Sequence, residues 1–333
     1  MGFTPAIVIV TRRTRLEKLR ERWVTTPQVM FALKQAHVHE GERRRKDSRS
    51  TKTIALPEVA AEADFAEYQH EDDRYQKTVD QLERDLDFGM PLKLLDRSLV
   101  PNFDFWNAAA VVVVGQDGLV ANTAKYVGDL PIVGINPDPQ RFDGVLLPFT
   151  AAQARPVVSR VLESKHRTRS VTLAEATLND GQRMLAFNDF FVGCRTHVSA
   201  RYTLEVEGRA EPQSSSGILV STGAGSTGWL SSVFNMAAGV GQLVGASAGG
   251  AVQLPWEDRR LIWAVREPFA SRHSQANLVA GLLPEQQQLV VESLMPAEGV
   301  IFSDGIESDF LQFNSGTIAR IGVAEQRARL VVG

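Results

Sequence analysis

Apolar positions fall into two regimes along the chain. In the first regime they come in short unbroken runs separated by helical stretches. Ala6–Val10 is the first run, and Ala109–Val114 is the central one, dominated by β-branched valine. Such runs read as strands buried on both faces, as in a parallel sheet. Between them, Thr11–Gln35 carries Leu16, Leu19, Arg20 and Trp23 at helical spacing and is expected to break near Pro27. Pro57–Leu86 is the longest helical stretch, with Tyr75, Val79, Leu82 and Leu86 forming one apolar stripe. Short strands are expected at Pro91–Leu95, after Gly89, and at Pro131–Ile135, after Gly128. Strand and helix therefore alternate over about the first 150 residues, the signature of a parallel α/β sheet.

Near Pro148 the regime changes to alternation with period two. Tyr202, Leu204 and Val206 face one way, and Thr203, Glu205 and Glu207 the other. Asn179-Asp180-Gly181 is a hairpin turn between two such runs. Val171–Gly217 reads as antiparallel sheet in a second domain. Val300–Phe302 and Phe310–Phe313 are later strands, with turns at Asp304-Gly305 and Asn314-Ser315-Gly316. Residues 237–251 are merely small and apolar, and no internal repeat is present.

Composition narrows the class. The 333 residues are 44% hydrophobic and 23% charged, ordinary for a globular protein, and suffice for two domains. A formal charge of −3 argues against a nucleic-acid or membrane-surface binder. No apolar run approaches the ~20 residues of a membrane helix. The single cysteine, Cys194, excludes an internal disulfide and fits a reducing, cytoplasmic setting. The strand starting at Ala6 leaves little room for a targeting peptide, and Ala6 stands where a myristoylation signal wants Ser or Thr. Glu42–Ser50 reads as a solvated charged loop. His37 and His39 lack the flanking spacing of a metal site.

Three stretches carry candidate chemistry. The first is Gly115-Gln116-Asp117-Gly118, a tight turn at the carboxyl end of the valine run, where ligands bind in open α/β sheets. Its glycines allow backbone N–H groups close to a phosphate, and Asp117 is its one carboxylate. The second is Gly217–Leu230. It contains Gly223-x-Gly225-x-x-Gly228, but no acid follows until Glu257, so the dinucleotide fingerprint fails; no lysine follows the last glycine, so a Walker A loop fails. Hydroxyls of Ser221, Thr222, Ser226 and Thr227 and flexible amides remain. Ala224–Gly228 also approaches the serine nucleophile elbow, with Asp258 and His273 following in hydrolase order, although the preceding sequence is antiparallel. The third is Asn188-Asp189, a polar pair within the apolar stretch Leu185–Gly193. Burying it requires compensation, by a local bulge or by a ligand.

Taken in order, GQDG, the Asn-Asp pair, STGAGSTGW and Asp304-Gly305 resemble the NAD kinases, a family that carries GGDG, an Asn-Glu or Asn-Asp pair, a TGSTAY-like loop and a late Asp-Gly. Pro131–Phe149 also looks like that family's segment leaving the first domain. Trp229, Arg266-Glu267-Pro268 and the TRRTR start after the first strand are closer to the mitochondrial-type branch. Gln116 and Leu119 depart from the family pattern; a positive φ at position 116 would strain a glutamine by about 1–2 kcal/mol. The resemblance implies a Rossmann-like α/β N-terminal domain (1–148, with 315–333 returning) and a mostly antiparallel β-sandwich C-terminal domain (149–314), with the site in the cleft between them. It implies transfer of the γ-phosphate of ATP, with Mg²⁺, to the 2′-hydroxyl of the adenosine ribose of NAD, giving NADP. Asp117 would then be catalytic, with no dedicated protein metal site. Gly115, Gln116, Gly118, Asn188, Asp189, Thr222, Gly223, Gly225, Ser226, Thr227, Trp229 and Asp304 would bind the nucleotides, Asn188 reading adenine and Asp189 ribose hydroxyls. A homodimer is expected on the same ground. A nucleotide-binding relative with lost or altered transfer, a lipid kinase and a serine hydrolase are the alternatives.

Overall fold

The apolar runs of the first regime become the strands of a parallel sheet. In the computed structural model, which describes residues 5–46, 57–245 and 250–333, β1 (Ala6–Thr11) lies between β2 (Leu92–Asp96) and β3 (Ala108–Val114), parallel to both. The sheet order is β2-β1-β3-β4, with β4 at Pro131–Ile135. Val111–Val114 are fully buried, as expected of a strand covered on both faces. By contacts the chain divides into two units, Met1–Leu119 with Val133–Lys165, and Val120–Ile132 with His166–Gly333.

In the first unit, α1 (Arg15–Arg22) begins at a capping box of Thr14 and Glu17. The helical stretch breaks at residues 23–25, next to Pro27 as expected. Pro27 sits in the first turn of α2 (Thr26–Lys46), where its missing N–H has no intrahelical partner to lose. The expected charged loop is helical over Glu42–Lys46, as part of α2; residues 47–50 lie outside the described residues. The next helix, α3 (Pro57–Asp85), buries Tyr75, Val79 and Leu82, with Leu86 just beyond its end. Asp117 opens the helix α4 (Asp117–Ala124) instead of sitting in mid-turn. Past Pro148, the sequence forms one more helix, α5 (Ala151–Leu162), before the period-two region starts. Ala154, Val157, Val158 and Val161 are its buried stripe.

The second unit is β-rich. β5 (Arg167–Leu178) turns through Asn179-Asp180-Gly181, with Gly181 at φ +90°, into β6 (Arg183–Ala186). After β7 (Asp189–Cys194) come β8 (Ala200–Val206), β9 (Arg209–Ser215) and β10 (Ile218–Ser221). α6 (Trp229–Leu243) takes up part of the small apolar segment. The chain ends through β11 (Arg260–Val265), β12 (Ala280–Pro284), β13 (Leu289–Ser293), β14 (Gly299–Ser303), β15 (Phe310–Gln312) and β16 (Ile318–Val332). One sheet has the order β12-β11-β10-β7-β14-β15, with antiparallel neighbours. The other runs β16-β13-β8-β9, with β5 and β6 attached through β16. Inward residues of both, among them Phe190, Val220, Trp263 and Ile301 from the first and Tyr202, Leu204, Val291 and Ile321 from the second, form one core. This is a sandwich. Residues 315–333, expected with the first domain, cluster with this unit: β16 runs antiparallel to β5 along its length, and Arg329 and Leu330 pair in parallel with Pro131 and Ile132.

Candidate functional site

The turn after β3 is built around one glycine. Gly115 has φ +156°, and a Cβ there would come within 3.1 Å of Leu119 Cδ2. Only glycine makes this turn without strain. Gln116 is exposed and is absent from the non-glycine residues at positive φ, so it takes the place of a second glycine without backbone strain. Asp117, half-buried, accepts a hydrogen bond from Leu146 N–H through Oδ1 (2.8 Å). Leu146 is held close because Gly134 has no side chain: a Cβ there would meet Leu146 O at 2.2 Å. The 131–149 segment thus orients the Asp117 carboxylate.

In the second unit the Asn-Asp pair sits at a break between strands, not within one. Phe187 and Asn188 form a bend after β6, and Asp189 is the first residue of β7. Asp304 satisfies the backbone of this bend rather than the side chains of the pair. Asp304 and Gly305 have φ +54° and +70°, and Ile306 N–H closes the turn on Ser303 O (3.0 Å). This is the two-residue turn that Asp-Gly favours. It aims the Asp304 carboxylate at the bend, where it accepts from Asn188 N–H (2.6 Å) and Phe187 N–H (3.2 Å). Asp304 N–H in turn donates to Asp189 O (3.0 Å).

Lys125, just past α4, completes this cluster. Its Nζ donates to Ser303 Oγ (2.8 Å) and lies 3.4 Å from Asp304 Oδ2, with both side chains 2% exposed. Burial pushes the Asp304 carboxyl above its ordinary value, with Lys125 and the two N–H donors pulling the other way. Asp189 is pushed up to about 7, by burial first and by the neighbouring Asp304 charge second. No side-chain partner meets Asp189 among the described residues. Tyr126, next to Lys125, donates to Asp309 Oδ2 (2.5 Å), and burial with that carboxylate raises its phenol.

The glycine-rich loop packs on the same bend. Thr222 N–H donates to Asn188 O (2.8 Å) and Thr222 Oγ1 to Phe187 O (2.6 Å). A Cβ at Gly225 would meet Asn188 O at 2.2 Å, and one at Gly223 would meet Pro255 O at 2.0 Å. The loop's glycines thus permit backbone-on-backbone approach. Ser226 is 1% exposed and its Oγ donates to Gly223 O (2.7 Å), while Thr227 is exposed. Asp258 is paired with Arg260, and His273 is exposed. The serine-hydrolase alternative is therefore set aside: its nucleophile is buried and bonded to a carbonyl.

Beside the bend lies a cavity of about 360 Å³. Its floor is the outer face of β7 and β14, where Phe191 and Phe302 follow Asp189 and precede Asp304 by two residues each. Trp229 stacks on Phe191 (centroids 5.7 Å apart, planes at 11°), and the Arg266 guanidinium lies 5.3 Å from the Trp229 ring centre. Arg195 also lines it.

The structure therefore brings together Asn188, Asp189, Thr222, Gly223, Gly225, Ser226, Trp229 and Asp304 in the second unit. Gly115, Gln116, Asp117 and Gly118 stand at the carboxyl end of β3 in the first. Sequence reading missed Lys125, Tyr126, Phe191, Phe302 and Asp309. One signal was available for Lys125: it is the only charged side chain from Gly118 to Gly128. Among the described residues, no cluster of three or more His, Cys, Asp or Glu side chains is disposed to hold a metal, and no helix is long and apolar enough to cross a membrane.

No protein-family model matches the chain. A curated rice (Oryza sativa subsp. japonica) protein, named a probable NADH kinase, is 26% identical over 220 residues, covering 59% of this chain and 62% of the rice protein. The chain thus spans about three-fifths of that relative's length. The crystal structure of yeast NADH kinase complexed with NADH superposes with a TM-score of 0.53 at 15% identity, covering 99% of this chain and 84% of the yeast chain, and so shares its fold. The chain is thus similar in sequence to a probable NADH kinase and has the fold of a yeast NADH kinase, with the four motifs in order on it.

Proposed function

We propose that this chain is an ATP-dependent NAD kinase, moving the γ-phosphate to the 2′-hydroxyl of the adenosine ribose of NAD or NADH. The observation that carries the reading is Asp117: a half-buried carboxylate at the carboxyl end of a parallel strand, held through one oxygen by Leu146 N–H. Phosphoryl transfer asks for positioning and charge neutralisation more than covalent chemistry. Asp117 would orient the attacking hydroxyl and take its proton as the new O–P bond forms and the bond to ADP breaks. Asn188 and Asp189, presented by the Asp304-pinned bend, would hold the base and ribose hydroxyls. The cavity of Phe191, Trp229 and Arg266 offers a flat apolar surface beside a cation, suited to a heteroaromatic ring and a phosphate of the dinucleotide.

Magnesium fits this donor set only as a passenger of the triphosphate. It binds through one or two carboxylates plus phosphates, and Asp117 supplies one carboxylate at the turn. When bound, it would neutralise phosphate charge.

The competing reading, a binding relative without transfer, rests on Gln116. The backbone at 116 needs no glycine, so strain there is no ground for lost transfer, and activity of the wild type decides between the two readings. A homodimer and a cytoplasmic location go with the kinase reading; sedimentation of the purified chain tests the first.

The direct test incubates the full chain with ATP, Mg²⁺ and either NAD or NADH. The phosphorylated product is measured with an NADP-specific dehydrogenase. Activity should appear in the wild type and fall about 10²–10⁴-fold in Asp117→Asn, which keeps the Leu146 contact through its amide oxygen. No product in the wild type, with NAD still raising the melting temperature, would leave a binding protein.

A further inference from the structure

The TRRTR segment after β1 is not used by the reading above. β1 and β3 are parallel with Val10 opposite Val113, so Arg12 stands level with Gly115. The position of the missing Gly115 Cβ is 3.4 Å from Arg12 Cδ and 3.5 Å from Arg12 Nε. Arg12 is thus packed under the glycine turn, at the sheet edge where α/β folds bind ligands.

Its backbone is fixed: Arg12 N–H donates to Tyr75 Oη (2.8 Å), which itself donates to Val114 O (3.1 Å). Its guanidinium is fixed at one corner, where Nη2 donates to Glu71 Oε1 (3.0 Å). Nε is different. It is buried and has no hydrogen-bond partner. A buried N–H without an acceptor costs free energy in the free protein and regains it when an acceptor arrives.

The local charge is also unbalanced. Arg12, Arg15 and Arg141 share Glu67 and Glu71, three cations against two carboxylates. Arg74 has its own partner, Asp138 (2.6 Å). An anion is the missing partner. The Asp117 and Gly118 amides, in the first turn of α4 and without intrahelical acceptors, offer further donors to the same anion.

We propose that Arg12 binds the polyphosphate of the phosphoryl donor at the Gly115–Gly118 turn, a role that rests on the kinase reading. Nε–H gives its unused hydrogen bond to a phosphate oxygen, and the guanidinium supplies the positive charge that the cluster has in surplus. A lysine keeps the charge but has no planar N–H at that position.

The test measures binding of ATP and of inorganic tripolyphosphate by calorimetry, and KM for ATP and for NAD, in the full chain. Arg12→Gln should weaken both polyphosphate ligands about 10- to 100-fold, the range of a charged hydrogen bond. KM for ATP should rise while KM for NAD stays put. Arg12→Lys should fall between, and serves if Arg12→Gln fails to fold. Arg13→Gln, which removes an exposed ion pair to Glu21 outside the cluster, should leave donor affinity unchanged. Polyphosphate binding within two-fold of wild type in either Arg12 variant overturns the proposal, as does a wild-type chain that binds neither ligand. NADP formation with unchanged donor affinity in Arg12→Gln removes only the role of Arg12. Arg12-dependent tripolyphosphate binding without phosphorylated dinucleotide keeps the anion site and removes the kinase reading.

Discussion

Replacing Lys125 by methionine tests how the bend at Phe187–Asn188 is held. Lys125 and Asp304 are each 2% exposed, and no other cation pairs with Asp304 among the described residues. Removing one member of such a pair leaves an uncompensated buried charge, at a cost of about 3–5 kcal/mol. Asp304 has a way to limit that cost, because burial already pushes its carboxyl up and loss of the cation pushes it further. Protonating an aspartate of ordinary pKa takes about 1.5 kcal/mol at pH 5 and over 5 kcal/mol at pH 8. The neutral acid also serves one of its two N–H donors less well, at about 1 kcal/mol. The variant should therefore lose about 3–5 kcal/mol at pH 8 and about half as much at pH 5. The sign follows from linkage: the folded variant binds the Asp304 proton more tightly than the unfolded chain, so its stability falls as pH rises. Urea unfolding at both pH values measures this. The double variant Lys125→Met/Asp304→Asn removes both charges and should recover most of the loss, short of one backbone hydrogen bond. A single variant within about 0.5 kcal/mol of wild type at pH 8, or a double variant no better than the single, would refute the argument.

Three further outcomes follow from the same geometry. Asp189, at about 7, holds its proton more tightly in the folded chain than in the unfolded one. Wild-type stability should then drop between about pH 4 and pH 7, and Asp189→Asn should remove that slope and gain on the order of 3 kcal/mol at pH 8, read from unfolding curves at pH 5 and 8. Gly115→Ala should destabilise by about 1–3 kcal/mol, since φ is +156° and Leu119 lies 3.1 Å from the new methyl group, whereas Gln116→Gly should change stability by less than about 1 kcal/mol. Trp229→Ala opens the wall facing Phe191 and should raise KM for NAD about 10-fold while leaving KM for ATP unchanged, the loss of one ring contact.

What could be read from the sequence was what local patterning determines. The valine run specified β3 because burial on both faces leaves no polar position to confuse the period. Asn179-Asp180-Gly181 specified a hairpin because its glycine takes φ +90°. Pro27 marked the break but not its own side of it, because proline both breaks a helix interior and suits a first turn, and spacing alone does not say which. Asn188-Asp189 was visible as an anomaly, but its resolution was not. The group that holds the backbone there, Asp304, is 115 residues downstream of Asp189, and the counter-ion of Asp304, Lys125, is 64 residues upstream of Asp189.

The three belong to one device whose parts are individually unremarkable in sequence: an Asp-Gly turn, a lysine after a short helix, a polar pair between apolar residues. Only pairing of β7 with β14, which puts Ser303 opposite Phe190, brings them within hydrogen-bond range. The same logic explains Arg12. In sequence it is one arginine of TRRTR, with nothing to set it apart from its neighbours. Its meaning comes from strand register, which sets it beside a glycine that has no side chain to keep it away. Motif residues announce themselves because their chemistry is local, while the residues that aim them are chosen by the sheet. A sequence motif therefore identifies which atoms meet the substrate long before it identifies what holds those atoms still.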